Sequence, residues 1–232
     1  MGISRIFTDF VRLFYPNLCM VCHNDLADGE SVICTACLYH IPRTRYWFDV
    51  ENPVAKIFWG RVFIQNACSF FFFSKGSRYR KLLHQLKYNG KPEIGYVLGK
   101  EFGFELNKVD LYNNIDFIVP VPLHPKRLKQ RGYNQSEEIA KGLQDSMGIP
   151  ISTNNLIRAG YTETQTRKTR TERVQNVSKA FKLDKPELFK DKHVLIVDDV
   201  VTTGATLEEC AAIALEAEGC KVSIATLAYA SL

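Results

Sequence analysis

The sequence predicts an α/β protein built on a mostly parallel sheet, with a small metal-binding segment near its N-terminus. Three observations carry this expectation. Residues 194–197 (VLIV) are an unbroken apolar run rich in β-branched side chains, the pattern of a strand covered on both faces, and residues 115–121 (IDFIVPV) are a second largely apolar strand pattern. Segments with apolar residues three and four apart alternate with them, as helices crossing over a parallel sheet do. Ahead of both lie four cysteines in two Cys-x-x-Cys pairs. With 46% hydrophobic and 24% charged residues, the 232-residue chain has material for one sizeable domain plus an appendage, divided here as 1–60 and 61–232.

Other classes fall away. The net charge of +5 is too modest to specify nucleic acid by itself, although basic residues cluster in two stretches. No apolar run approaches the roughly 20 residues that span a bilayer. Arg5, Asp9 and Arg12 interrupt the apolar N-terminal residues, so the start does not resemble a signal peptide. A cytoplasmic protein without a membrane span is expected.

From the N-terminus, Ile3, Ile6, Phe7, Phe10, Val11 and Phe14 form one apolar stripe of a helix that Pro16 should end. Cys19-x-x-Cys22 and, eleven residues on, Cys34-x-x-Cys37 follow. Two such knuckles make a tetrahedral sulfur set suited to structural Zn²⁺, and metal binding would supply much of the folding free energy of so short a segment. Two disulfides are disfavoured by the expected compartment. Cys68, Cys210 and Cys220 have no such pattern and are expected to be small buried hydrophobes. Residues 41–60 make a linker anchored by Trp47 and Trp59, and residues 61–74 a strand or hairpin. Tyr79, Leu82, Leu83 and Leu86 mark a helix closed by Asn89-Gly90, and Ile94, Val97, Leu98 and Phe102 a second one after Pro92. Lys87, between them, is expected to be solvated.

The 115–121 strand ends in prolines that forbid its continuation. Val121, Pro122, Leu123 and His124 then lead into a loop carrying Lys126, Arg127, Lys129 and Arg131, a setting for a diphosphate. Ser136 is expected to cap the next helix, with Ile139, Leu143 and Met147 inside and Gly148 beyond. Residues 162–173 hold almost no aliphatic side chain, so they cannot pack into a core. Their cations, Arg167, Lys168, Arg170 and Arg173, suit a lid closing over a diphosphate.

The chemistry centres on residues 193–207, HVLIVDDVVTTGATL. A buried strand leads to Asp198 and Asp199 at its end, where charge is costly without a partner. A loop of small and hydroxyl residues (Thr202, Thr203, Gly204, Ala205, Thr206) then opens a helix ending at Gly219. Backbone N–H groups at a helix start suit a phosphate, and two carboxylates suit sugar hydroxyls. No Lys follows the glycine as in a P-loop, and no G-x-G-x-x-G is present. Residues 222–229 form a last strand.

Residues 194–206 resemble the phosphoribosyl-pyrophosphate (PRPP) signature of type I phosphoribosyltransferases. Together with the cysteine pairs, the run RGYNQ at 131–135, and Gln165, Arg173, Asn176 and Phe181, they make the chain resemble the ComF family of competence-associated proteins; Lys168 and Thr169 depart from that pattern. The resemblance implies a sheet of type I phosphoribosyltransferase kind and binding of PRPP with Mg²⁺. Asp198 and Asp199 would be the catalytic pair, on the ribose hydroxyls. Residues 202–206 would cradle the 5′-phosphate. Val121, Pro122 and Leu123, with Lys126, Arg127 and Arg131, would hold pyrophosphate, and a role for Lys87 at the diphosphate is raised as well. Two functions follow: a pentosyl-transferring enzyme whose acceptor the sequence does not name, or a non-catalytic PRPP-binding, single-stranded-DNA-binding or adaptor protein of the DNA-uptake and recombination machinery.

Overall fold

The computed structural model describes residues 16–74, 76–158 and 180–230. The N-terminal apolar stripe and the candidate lid cations Arg167, Lys168, Arg170 and Arg173 lie outside the described residues. In the cysteine segment, the short helix α1 (Thr35–Tyr39) is capped by Cys34, whose sulfur accepts from the Cys37 N–H. Helix α2 (Pro53–Lys56) follows, capped by Asn52. The Asn52 Oδ1 accepts from Val54 N at 2.9 Å and Ala55 N at 3.1 Å, while its Nδ2 donates to Ala67 O at 2.7 Å. One buried amide thus ties the expected linker to the body. Trp47 is the anchor the sequence called for, at 1% exposure against Phe70 and Phe102. Trp59 is not. It is 55% exposed beside Lys56, because Phe58 takes the inward position of that turn.

The sheet comprises β1 (Ala67–Phe72), β2 (Phe117–Pro120), β5 (His193–Val201) and β6 (Lys221–Tyr229), ordered β1-β6-β5-β2 with every pair parallel. The expected parallel α/β sheet is therefore present. Helices α3 (Arg80–Tyr88) and α4 (Glu93–Leu106) cross from β1 to β2, then α5 (Pro125–Arg131) and α6 (Gln135–Met147) follow, and α7 (Ala205–Ala214) joins β5 to β6. Val194, Leu195, Ile196 and Val197 are fully buried because β5 lies inside the sheet with packing on both faces. One apolar layer, with α3, α4 and α6, takes in the cysteine segment; the other holds Val54, Phe58 and α7. Helices α4 and α6 approach so closely that a Cβ on Gly99 would sit 2.3 Å from Ile139 O, and one on Gly142 2.1 Å from Tyr96 O.

Three expectations need correction. The four cations after the prolines stand on a helix, α5, and not in a loop. Pro125 is compatible with a first helical position, and His124 caps it by accepting from Lys126 N at 3.1 Å. No α5 side chain is buried, so no apolar periodicity announces this helix. The cap of α6 is Asn134, accepting from Ser136 N, which leaves the Ser136 hydroxyl free for another partner. Finally, β5 runs on to Val201, so both acids lie within the strand. A two-stranded antiparallel pair, β3 (Leu156–Arg158) and β4 (Phe181–Leu183), was not expected at all.

Candidate functional site

The carboxyl ends of β2 and β5 meet at a cavity of about 380 Å³ lined by Asp198, Asp199, Thr206, Val121, Pro122, Leu123 and the cations Lys87, Arg127, Arg131 and Arg158, among others. Asp198 folds back on its own strand. Its Oδ1 accepts from Ser136 Oγ at 2.9 Å and from Asp199 N at 2.8 Å. Burial, and then the neighbouring Asp199 charge, push this carboxyl up to about 7 against the opposing pull of those hydrogen bonds and of Lys87. Asp199 is 8% exposed, and its Oδ1 lies 3.0 Å from Lys87 Nζ. Lys87, expected to be solvated, is therefore the ion partner of the second acid. It occupies the last turn of α3, where a cation also complements the helix dipole.

Residues 202–206 span the turn from β5 into the first residues of α7. Gly204 is the N-cap at φ +75°, a conformation that favours glycine, and no side chain caps the helix. Gly204 is buried while Thr202, Thr203, Ala205 and Thr206 are exposed around a small cavity of about 80 Å³. The sequence-derived phosphate loop is thus a helix start with open N–H groups, beside the acids.

Across the cavity, Val121 N donates to Val197 O at 2.9 Å, and Val121 O accepts from Asn134 Nδ2 at 3.0 Å, which fixes the 121–123 turn against β5 and α6. Arg131 Nη1 donates to Gln135 Oε1 at 2.7 Å, and its guanidinium lies 5.4 Å from the Tyr88 ring centre. Lys126 is not among the residues lining this cavity. A second cavity of about 540 Å³, whose charged lining residues are all cations, adjoins it, sharing Lys87, Arg127 and Arg131 and adding Tyr88, Gly90, Gln130 and Tyr133.

The sequence alone makes Ser136 a cap, leaves Lys87 solvated apart from the diphosphate role that the resemblance raises, and assigns Arg158 no role; the contacts of Ser136 and Lys87 with the acids are not legible in it. Arg158 ends β3, sits 5.0 Å from the Phe181 ring centre and lines the cavity. A three-residue strand gives too short a pattern to announce itself; only the unexplained arginine ahead of the candidate lid was available as a signal.

The sulfurs of Cys19, Cys22, Cys34 and Cys37 all lie within 4.8 Å of one another, with Cys22 and Cys34 3.7 Å apart. A tetrahedral Zn–S shell of about 2.3 Å bonds separates its sulfurs by about 3.8 Å. Backbone N–H groups of Val21 and Cys34 point at Cys19 Sγ at 3.5 and 3.3 Å. Burial raises the Cys19 thiol, but the backbone amides of Cys22, Cys34 and Val21, with the Cys22 thiol, outweigh it and bring it down to about 7, as a thiolate ligand needs. The residues present fit a four-sulfur metal site. Neither His23 nor His40 joins the cluster. Cys68, Cys210 and Cys220 are buried free thiols, as expected.

A parallel sheet with paired acids on one strand, followed by a helix-opening Thr/Gly loop, defines a phosphoribosyltransferase domain, and residues 128–231 match the family model "Phosphoribosyl transferase domain". The DNA utilization protein YhgH of Salmonella typhi is 34% identical over 137 residues, covering 58% of this chain and 60% of that protein. Competence protein F of Haemophilus influenzae is 42% identical over 94 residues, 40% of this chain and 41% of its own length. Competence protein ComFC of Bacillus subtilis is 32% identical over 139 residues, 59% and 53% of the two chains. The chain spans 60% or less of the length of these curated relatives. Over these stretches it is similar to ComF proteins. Among the described residues, no helix is long and apolar enough to cross a membrane.

Proposed function

We propose that this protein binds PRPP as its magnesium complex at the carboxyl ends of β2 and β5, and that it acts there as a phosphoribosyltransferase. The observation that carries the reading is the juxtaposition, in one cavity, of the Asp198–Asp199 pair, the helix-opening loop at Thr206, and the guanidinium groups of Arg127, Arg131 and Arg158. In this reading the 5′-phosphate takes the N–H groups of residues 202–206, and the ribose hydroxyls lie on the acids. Pyrophosphate lies against the 121–123 turn with Arg127 and Arg131, and Lys126 adds charge from outside. Mg²⁺ requires oxygen ligands; the acids and the ligand's own oxygens would be the donors, and the ion would neutralise diphosphate charge.

Charge grows on pyrophosphate as its bond to the anomeric carbon breaks, so cations fixed around it stabilise the transition state more than the ground state. Arg158 is suited to this, since it is held by the Phe181 ring and has no carboxylate partner among the described residues. Residues 61–232 form the ligand-binding unit in this proposal. Residues 1–60 carry the metal segment, where bound Zn²⁺ would be structural because four sulfurs close its shell. Calorimetric titration with Mg·PRPP tests the reading: micromolar-range binding by the wild type and none by Asp198→Asn/Asp199→Asn are expected, and no heat from the wild type refutes it.

A second reading has its own observation. The larger cavity carries three cations and two tyrosines and has no carboxylate in its lining, a composition suited to a phosphate backbone with stacked bases. Relatives are named for DNA utilization and competence. Single-stranded DNA binding there would weaken steeply with salt and survive the double asparagine substitution. If DNA does not bind, a non-catalytic PRPP-binding role or a role as a protein adaptor in DNA uptake remains.

A further inference from the structure

We infer that Arg61 makes the 202–206 loop receptive to phosphate by restraining the two groups there that would repel it; this rests on the phosphate-loop reading proposed above. Arg61 lies outside the cavity, on the segment between α2 and β1. Its Nη1 donates to Thr203 O at 2.8 Å and to Ile57 O at 3.1 Å, and its Nη2 pairs with the Glu208 carboxylate. Thr203 and Glu208 flank Gly204, the N-cap of α7.

Both partners matter electrostatically. A carboxylate in the first turn favours the helix itself, but it competes with an anion for the same N–H groups. Glu208 stands in that turn, and the guanidinium neutralises it. The Thr203 carbonyl is a negative dipole end in the loop itself. Held by Arg61, it points out of the loop, so the following N–H groups are left to face the ligand. The segment is also locked to the loop by shape. A Cβ on Gly204 would meet Ile57 Cγ2 at 2.6 Å and Phe58 Cε1 at 3.0 Å, and Phe58 is fully buried. The loop and residues 57–61 are thus packed directly against each other. Arg61 is a positioning residue, acting on the ligand only through the loop.

The test uses the full chain and two probes, ribose 5-phosphate and inorganic pyrophosphate, each with Mg²⁺. Arg61→Gln is expected to weaken ribose 5-phosphate binding by roughly tenfold, the scale of losing a charge-assisted hydrogen bond, and to leave pyrophosphate within about twofold. Arg61→Lys should recover part of that loss through its charge. Arg61→Gln/Glu208→Gln should recover more, because the uncompensated carboxylate is gone. Circular dichroism of each variant checks folding. Glu208→Gln alone, which keeps Arg61 and so does not depend on the arginine variants folding, should bind ribose 5-phosphate at least as tightly as the wild type. Unchanged ribose 5-phosphate affinity in Arg61→Gln overturns the inference, as do equal losses for both probes or a weaker Glu208→Gln. A wild type that binds pyrophosphate but no ribose 5-phosphate overturns the loop reading itself.

Discussion

Replacing Asp198 by asparagine is expected to abolish PRPP affinity and, at the same time, to stabilise the ligand-free protein at neutral and alkaline pH. The reason lies in the carboxyl's surroundings. Burial and the Asp199 charge raise it from 3.8 to about 7. An acid whose native pKa lies above its unfolded one binds its proton more tightly when folded. Its favourable contribution is complete below about pH 4 and is lost as pH rises through about 7. A gap of three units corresponds to about 4 kcal/mol as an upper figure. Water in the open cleft, and the sharing of charge with Asp199, reduce this to about 2–3 kcal/mol at pH 8. Asparagine retains an oxygen for Ser136 Oγ and Asp199 N, the two donors now on Oδ1, and brings no charge.

For a domain of this size, each kcal/mol moves the melting temperature by about 2–4 °C. Asp198→Asn should therefore melt roughly 5–10 °C above the wild type at pH 8, with the gap closing near pH 4.5. Thermal melts between pH 4.5 and 8.5, without Mg²⁺ or ligand, provide the measurement. A variant that melts at or below the wild type at pH 8, or with the same offset at every pH, would refute the reasoning.

Two further outcomes follow from the geometry. Lys87→Met leaves the Asp199 carboxylate, 8% exposed, without the ammonium now 3.0 Å away. A loss of about 2–3 kcal/mol in denaturant-unfolding free energy at pH 8 is expected, against a negligible change for Lys81→Met on the exposed face of the same helix. In the cysteine segment, a strong chelator or Cys37→Ser should unfold residues around the knuckles and expose Val21, Val32 and Ile33, now nearly fully buried. Hydrogen exchange read by mass spectrometry would register faster exchange across 19–41 while β5 and β6 stay protected, and unchanged exchange would count against a metal site.

Much of this architecture was legible in the sequence because each signal was long or chemically unambiguous. Strand β5 betrays itself by an apolar run with no polar face, a pattern that only double coverage produces, and its acids stand out because charge rarely follows such a run. The cysteine pairs need nothing but spacing. The parts that were not legible lie where pattern and environment separate. Helix α5 has no buried side chain, so it leaves no periodic trace among its cations. Ser136 and Asn134 are both good caps; which of them caps α6 depends on Asp198 taking the serine hydroxyl from another element. Lys87 and Asp199 are paired by α3 lying across the end of β5, a tertiary contact that no local window contains.

These misplaced residues share a role. Ser136 and Lys87 are the groups that hold the two acids in the absence of ligand, and both reach them from helices far away in sequence. An acid pair on a buried strand is otherwise unfavourable, and apolar side chains at 198 and 199 would make a more stable sheet. Two separate helices supply restraints for the pair, and Asp198 still remains strained upward in pKa. Packing does not require this arrangement. It makes sense for a ligand whose hydroxyls and metal ion share the carboxylates' charge, with the nearby arginines arranged for that ligand's phosphates. Ligand recognition would account for the costliest residues of the fold; in the proposed function, catalysis would rest on what the arginines do as pyrophosphate leaves.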